Sequence, residues 1–247
     1  MLDDQLYQRP NAGKGQFLKR FRSIANSTRG NMSRKSRKYI LLIIILFLLL
    51  PGLLAGNSAL GTAQDQPKMD AQTYHNRMRR LWEGHANWTH LFIISTLDDL
   101  EYRDPTRNHL LENQHNIGEA IEPFYGDEAG EQLVALLDEH VQITDEMLHA
   151  AKNADAATFE DTVAHWYANA DQVAEFLHEV NPVHWPLKET KAMLREYLDL
   201  TLEVAVARWN GDFAADIAAS DKVRDQALAI ADMLSEGIIK QFPDRFK

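Results

Sequence analysis

The chain contains no cysteine. That excludes disulfides, thiolate metal sites, thioether-attached haem and a lipidated-cysteine anchor, and it leaves no trace of the redox state of the compartment. Glycine is also scarce, at 12 in 247 residues. Beyond residue 61 the glycines stand singly and never as Gly-x-Gly, so no Gly-rich turn is available to bring backbone amides onto a phosphate. An Asp-x-Asp pair, a Gly-x-Ser-x-Gly elbow, a His-Glu-x-x-His zinc helix and a calcium-loop pattern are all missing. Positive charge is nearly confined to one end. Residues 1–38 hold ten Lys/Arg against Asp3 and Asp4, a net +8, and the remainder holds 16 against 34 Asp/Glu, a net −18. An acidic body repels polyanions, which excludes a nucleic-acid-binding face and leaves a solvated exterior. No period-two run is long enough for a strand.

Hydrophobic residues make up 45% of the chain, enough for a sizeable core. Residues 1–38 read as a basic, unpatterned tail, with Met32 as an alternative start. Tyr39 to Leu50 is an unbroken apolar run of twelve residues, followed by Pro51-Gly52 and then small residues around Ala59, Gly61 and Ala63. Basic flank, apolar run and small-x-small site are the parts of a secretory signal peptide over 39–61, with cleavage at Ala59-Leu60-Gly61 or Gly61-Thr62-Ala63. The span from Tyr39 to Gln64 is also free of charge, which suits an uncleaved transmembrane anchor of ~20 residues. Both readings put the acidic body outside the cytoplasm, with the membrane touched only through this N-terminal segment. Residues 62–69 form a polar linker.

From 70 to 247 apolar residues recur at helical spacing, and the sequence predicts an all-α domain of six helices. The first is capped by Asp70 and carries Met78, Trp82, His85, Thr89 and Phe92 on one stripe. The second opens at Asp104-Pro105 and closes at Pro123 and Gly126. A third from about Glu128 leads through the turn Asn153-Ala154-Asp155 to a fourth, which ends before Asn181-Pro182. The fifth runs from about Leu187 to Trp209, and Asn210-Gly211-Asp212 turns it into a sixth that stops before Pro243.

The stretch Leu137–Asp155 recurs 57 positions later, where Leu194, Glu196, Thr201, Glu203, Ala207, Asn210 and Asp212 meet identical residues. A fainter copy lies 55 positions earlier, with His85 under His140 and Thr89 under Thr144. The period, about 56, describes three helical hairpins. One hairpin cannot bury its own apolar stripe, so the three are expected to pack together.

In LLENQHNIGEAIEPFYGDEAGEQLVALLDEH (110–140), HWYANADQVAEFL (165–177), NPVHWPL (181–187) and GIIKQFPDRF (237–246) the chain resembles a family of uncharacterised exported bacterial proteins, mostly Gram-positive. The resemblance covers nearly everything after residue 70. It implies export and a helical bundle. The labels glycosyltransferase and acetylglutamate kinase attached to similar sequences find no support in these residues, which lack the Asp-x-Asp and Gly-rich loops such chemistry uses.

Three Glu-x-x-His pairs, Glu112/His115, Glu146/His149 and Glu175/His178, have the spacing of diiron bundle ligands. At 100° per residue they fall roughly 140 to 200° from their own apolar stripes, which makes them solvated pairs. The five tryptophans, at helical spacing, read as core or corner residues, and His184 in the 181–187 loop is the best exposed candidate contact. Inward positions are more informative. His85 and His140 each have a threonine four residues on, Thr89 and Thr144, and Tyr197 and Thr201 take those places in the third copy. Asn113, Asn169 and Gln226 flank the stripes of the partner helices, where their amides would meet the rings and hydroxyls. These nine residues are the candidate ligand-binding set, or else a buried polar layer that fixes helix register. No catalytic residue, metal ligand or cofactor is assigned. The expected function is an extracytoplasmic, non-catalytic module binding a small ligand or an envelope protein partner. The alternative is a metal- or cofactor-dependent enzyme using the inward histidines.

Overall fold

The computed structural model describes residues 68–247. The basic tail, the apolar stretch 39–61 and nearly all of the linker lie outside them. The described chain is all-helical: α1 (Ala71–Leu97), α2 (Arg103–Tyr125), α3 (Asp127–Lys152), α4 (Ala156–Val180), α5 (Leu187–Asn210) and α6 (Phe213–Gln241), then a 3-10 turn, Pro243–Arg245. Among the described residues no helix is long and apolar enough to cross a membrane.

Local chemistry starts three of the helices in the same way. The carboxylates of Asp70, Asp155 and Asp212 accept the backbone N–H three residues on, from Thr73 at 2.7 Å, Thr158 at 3.1 Å and Ala215 at 3.1 Å. Each satisfies a donor that the first helical turn leaves open, worth ~1 kcal/mol. Gly211, at φ +72°, ends α5 in the left-handed region that glycine enters without steric cost. Two expected boundaries differ. Helix α2 begins at Arg103 with no side-chain cap, because Asp104 pairs with Arg103 instead of capping. It also runs through Pro123 to Tyr125, since a proline in the last turn removes only one hydrogen bond.

Each helix packs against the next in sequence, and α6 returns to α1, closing a ring. Helix α1 also touches α3 and α5 across the middle. The apolar stripes are inside, with Met78, Phe92, Leu110, Ile117, Val163, Trp166, Ala227 and Ile230 all at 2% exposure or less. The ring-closing seam lacks a connecting turn and is tied by polar contacts. Arg79 grips both oxygens of Asp232 at 2.5 and 2.6 Å, His75 meets Ser235 at 2.8 Å, and His90 meets Asp216 at 2.7 Å.

At the end of the bundle where the chain enters, three stretches distant in sequence converge. Trp185 is wholly buried and donates to Met233 O, while the Asn181 amide donates to Gly237 O at 3.1 Å. The Tyr125 hydroxyl donates to Gln241 at 2.6 Å, and Gln241 in turn donates to Val180 O. Around them Phe124 stacks on Phe246 at 5.3 Å and meets the edge of Tyr74 at 5.1 Å. Met69 and Phe246 form an isolated parallel bridge, with Met69 N–H donating to Arg245 O and Lys247 N–H to Met69 O.

Gly237 makes the close packing of this end possible, since a Cβ there would lie 2.1 Å from Trp185 Nε1. The indole is wholly buried. Gly237→Ala is therefore expected to destabilise the fold by about 1–3 kcal/mol, read as a lowered urea midpoint with an unchanged slope. A midpoint at or above that of the wild type would show that the indole is not fixed against α6.

Candidate functional site

The odd-numbered helices bring the predicted residues to one place. His85 and Thr89 on α1, His140 and Thr144 on α3, and Tyr197 and Thr201 on α5 line a single central cavity. Leu110, Val141 and Trp166 complete its wall. The space open to the centre of a water molecule is about 10 Å³, roughly what one water requires. His85, Thr89, Tyr197 and Thr201 are all at 6% exposure or less, while His140 keeps some accessible surface.

The three amides of the even helices do something different from what the sequence predicts. Asn113 donates to Leu81 O at 3.1 Å, Asn169 to Leu136 O at 3.0 Å, and Gln226 to Met193 O at 3.0 Å. Each accepting carbonyl lies four residues before the ring-bearing position: 81 before 85, 136 before 140, 193 before 197. The amides thus clamp backbone, and only Asn169 also reaches a ring, with Oδ1 2.9 Å from His140 Nδ1. His85 takes its partner from Gln114, whose Nε2 lies 3.0 Å from His85 Nδ1 and 2.9 Å from Leu110 O. Gln114 is fully buried and escaped the sequence reading because its equivalents in the other hairpins, Ala170 and Ala227, are apolar. The available signal was a glutamine four residues after Leu110 and three before Ile117, on the inward stripe itself.

The threonines divide too. Thr144 and Thr201 donate to the carbonyls of His140 and Tyr197 at 2.7 and 2.8 Å, and Thr144 accepts from Trp166 Nε1 at 2.8 Å. Trp166 stacks on His140 with ring centres 5.2 Å apart, and His85 lies 5.5 Å from Tyr197. The Tyr197 hydroxyl lies near those of Thr89 and Thr201, which favour its ionised form, while Tyr197 Oη and Thr89 Oγ1 make no full hydrogen bond among the described residues.

Burial sets the electrostatics. Removal from water disfavours the charged imidazole and lowers His85 to about 3, with the nearby His140 adding a little. Burial likewise lowers His140, to about 4, against the Asn169 acceptor, which favours the charged ring. Burial pushes the Tyr197 phenol well above its ordinary value, against the opposing effect of the neighbouring hydroxyls. At neutral pH the layer is uncharged.

The Glu-x-x-His pairs do not act as pairs in the structure. Glu112 and His115 are exposed, and His115 lies 3.6 Å from Asp138 instead. His149 turns to Asp145, and His178 to Trp185 O while Glu175 meets Lys191. Among the described residues no group of three His, Cys, Asp or Glu is placed to hold a metal ion. His184, half-buried, receives the Asn181 side-chain oxygen on its backbone N–H.

A Ser-His-Asp arrangement with no local sequence signal lies at the α1–α6 seam: Ser220 Oγ lies 2.9 Å from His90 Nδ1, and His90 Nε2 lies 2.7 Å from Asp216. It has the connectivity of a nucleophile, base and orienting acid. Ser220 sits in mid-helix, however, where neighbouring backbone N–H groups are spent on the helix and cannot stabilise an oxyanion. The same trio recurs at Ser235, His75 and Asp232, with Ser235 fully buried and donating to Ala231 O. Two such trios along one helix pair act as interhelix ties.

No family model, curated protein or solved structure matches the chain.

The polar layer makes stability depend on acid. Above the unfolded histidine value of ~6.5 both states are neutral and the full stability is present. As pH falls, the unfolded chain takes up protons that His85 and His140 resist until about 3 and about 4. Stability is then lost at up to ~1.4 kcal/mol per pH unit for each histidine. In His140→Leu the drop between pH 7.5 and pH 5 should be smaller than in the wild type. Its stability at pH 7.5 should be lower by ~1–3 kcal/mol, because Asn169 Oδ1 loses its donor. Urea unfolding of both proteins at the two pH values tests this, and equal acid sensitivity would place His140 in solvent.

Proposed function

We propose that residues 68–247 act outside the cytoplasm as a non-catalytic helical module, built of three hairpin copies, that recognises a protein partner in a sensing or envelope role. The observation that carries this reading is the size of the central cavity. Organic ligands occupy pockets of ~300 Å³ or more, whereas the residues expected to bind a small ligand enclose about 10 Å³ of water-accessible space. Recognition therefore falls to the outer surface. The charge-free stretch after a basic tail supports export, as does the likeness in motif to exported bacterial proteins. On α6, Phe213 and Ile217 stand one turn apart at 43% and 62% exposure, next to one another on the helix surface. The Arg208 guanidinium packs over the Phe213 ring at 4.8 Å. An aromatic residue, an aliphatic residue and an arginine together form the kind of anchor on which protein interfaces concentrate their energy.

A photo-crosslinking amino acid placed at Ile217 in the native host should give one discrete protein adduct, and the same residue at exposed Glu160 on α4 should not. Equal, diffuse labelling at both positions would overturn the reading.

The metal- or cofactor-dependent enzyme remains the second reading, supported by two inward imidazoles lining one cavity. Metal analysis of protein purified without chelator separates the two. Stoichiometric metal that disappears in His85→Gln or His140→Gln would replace the first reading with the second.

A further inference from the structure

The central cavity has a directional chemistry that its residue types alone do not reveal. Gln114 Nε2 faces two acceptors, Leu110 O and His85 Nδ1, and its two hydrogens serve one each. His85 Nδ1 must then be an unprotonated acceptor, which puts the ring proton on Nε2. In His140 the opposite holds. Asn169 Nδ2 is fixed by two acceptors, Leu136 O and Glu139 Oε2, so Asn169 Oδ1 faces the ring and requires a proton on His140 Nδ1. His140 Nε2 is left with a lone pair. The two histidines, on different helices around one cavity, therefore hold opposite tautomers: His85 Nε2 is a donor and His140 Nε2 an acceptor, and neither makes a hydrogen bond among the described residues. Beside them are two hydroxyls with no partner among the described residues, Thr89 Oγ1 and Tyr197 Oη, each more than nine-tenths buried.

We infer that this cavity is a binding site for a single water molecule, which accepts from His85 Nε2–H, donates to His140 Nε2 and uses its remaining bonds on the Thr89 and Tyr197 hydroxyls. The fit is one of number as well as size. A buried water makes two to four hydrogen bonds, and donor, acceptor and two ambivalent hydroxyls supply four. A metal cation fits less well, because it needs lone pairs from both imidazoles. Moving the His85 proton to Nδ1 would set it against the Gln114 amide hydrogens, and turning that amide over would break its bond to Leu110 O. An anion finds no cation within the layer. The site joins α1, α3 and α5 through one shared molecule, and it is independent of the partner face on α6.

Selective 15N-histidine labelling of the full chain reads the tautomers directly, with His85 and His140 assigned by substituting each with glutamine. At pH 7.5 the long-range 15N–1H spectrum should show His85 protonated on Nε2 and His140 on Nδ1. A cross-peak between His85 Nε2–H and a long-lived water should also appear. In Thr89→Val/Tyr197→Phe that cross-peak should be lost while both tautomers persist, because Gln114 and Asn169 set them. The same tautomer in both rings, or no water contact at His85 Nε2–H in the wild type, would overturn the assignment. So would a stoichiometric metal that shifts both ring nitrogens.

Discussion

Three hydrogen bonds hold this bundle in register: Asn113 to Leu81 O, Asn169 to Leu136 O and Gln226 to Met193 O. Apolar stripes alone would let two helices slide by a turn at modest cost, because one aliphatic contact resembles the next. A buried amide has far less latitude, since sliding leaves both it and its alternative acceptors unsatisfied. Each amide seizes the carbonyl one turn before a ring-bearing residue, and so determines how deep in the bundle that ring lies. The placement of His85, His140 and Tyr197 around one cavity follows from these three contacts.

The seams between neighbouring helices are held by different means. Consecutive helices are joined by connections as short as the single residue Gly126, and chain continuity supplies much of their pairing. Helices α1 and α6 have no such link. Their seam carries Arg79–Asp232, the His75 and His90 contacts, and, near the α5–α6 turn, Arg208 with Asp98 and Asp216. In an acidic body these arginines and histidines sit where carboxylates would otherwise repel one another across the gap. The partly exposed pairs on Asp232 contribute little each, whereas buried Asp216 depends on His90 and Arg208 to offset the cost of its burial; together they choose which face of α6 meets α1.

The sequence made the architecture legible because apolar residues recur at helical spacing in every segment and aspartate caps mark three of the starts. The second helix was misplaced by its own chemistry. Asp104-Pro105 looks like a cap followed by a first-turn proline, yet Arg103 draws the carboxylate away and the helix begins earlier. The inward rings and threonines were legible by alignment of the copies, but their partners were not. A side-chain amide at the edge of a stripe can reach a ring or a carbonyl, and a fraction of an ångström between helices decides which. Gln114 was invisible for another reason: a contact present in one hairpin alone leaves no echo in the others. The seam trios depend on helices separated by about 140 residues in the chain, for which local pattern carries no information.

The clasp between Met69 and the segment Arg245–Lys247 bears on how the bundle is made as well as how it stands. Helix α1 finds one of its two flanking neighbours in the ring only in α6, so the ring stays open until α6 is in place. Long-range closure of this kind raises the loop entropy that must be overcome before the native contacts return it. The core around α1 is complete only with α6 in place against it.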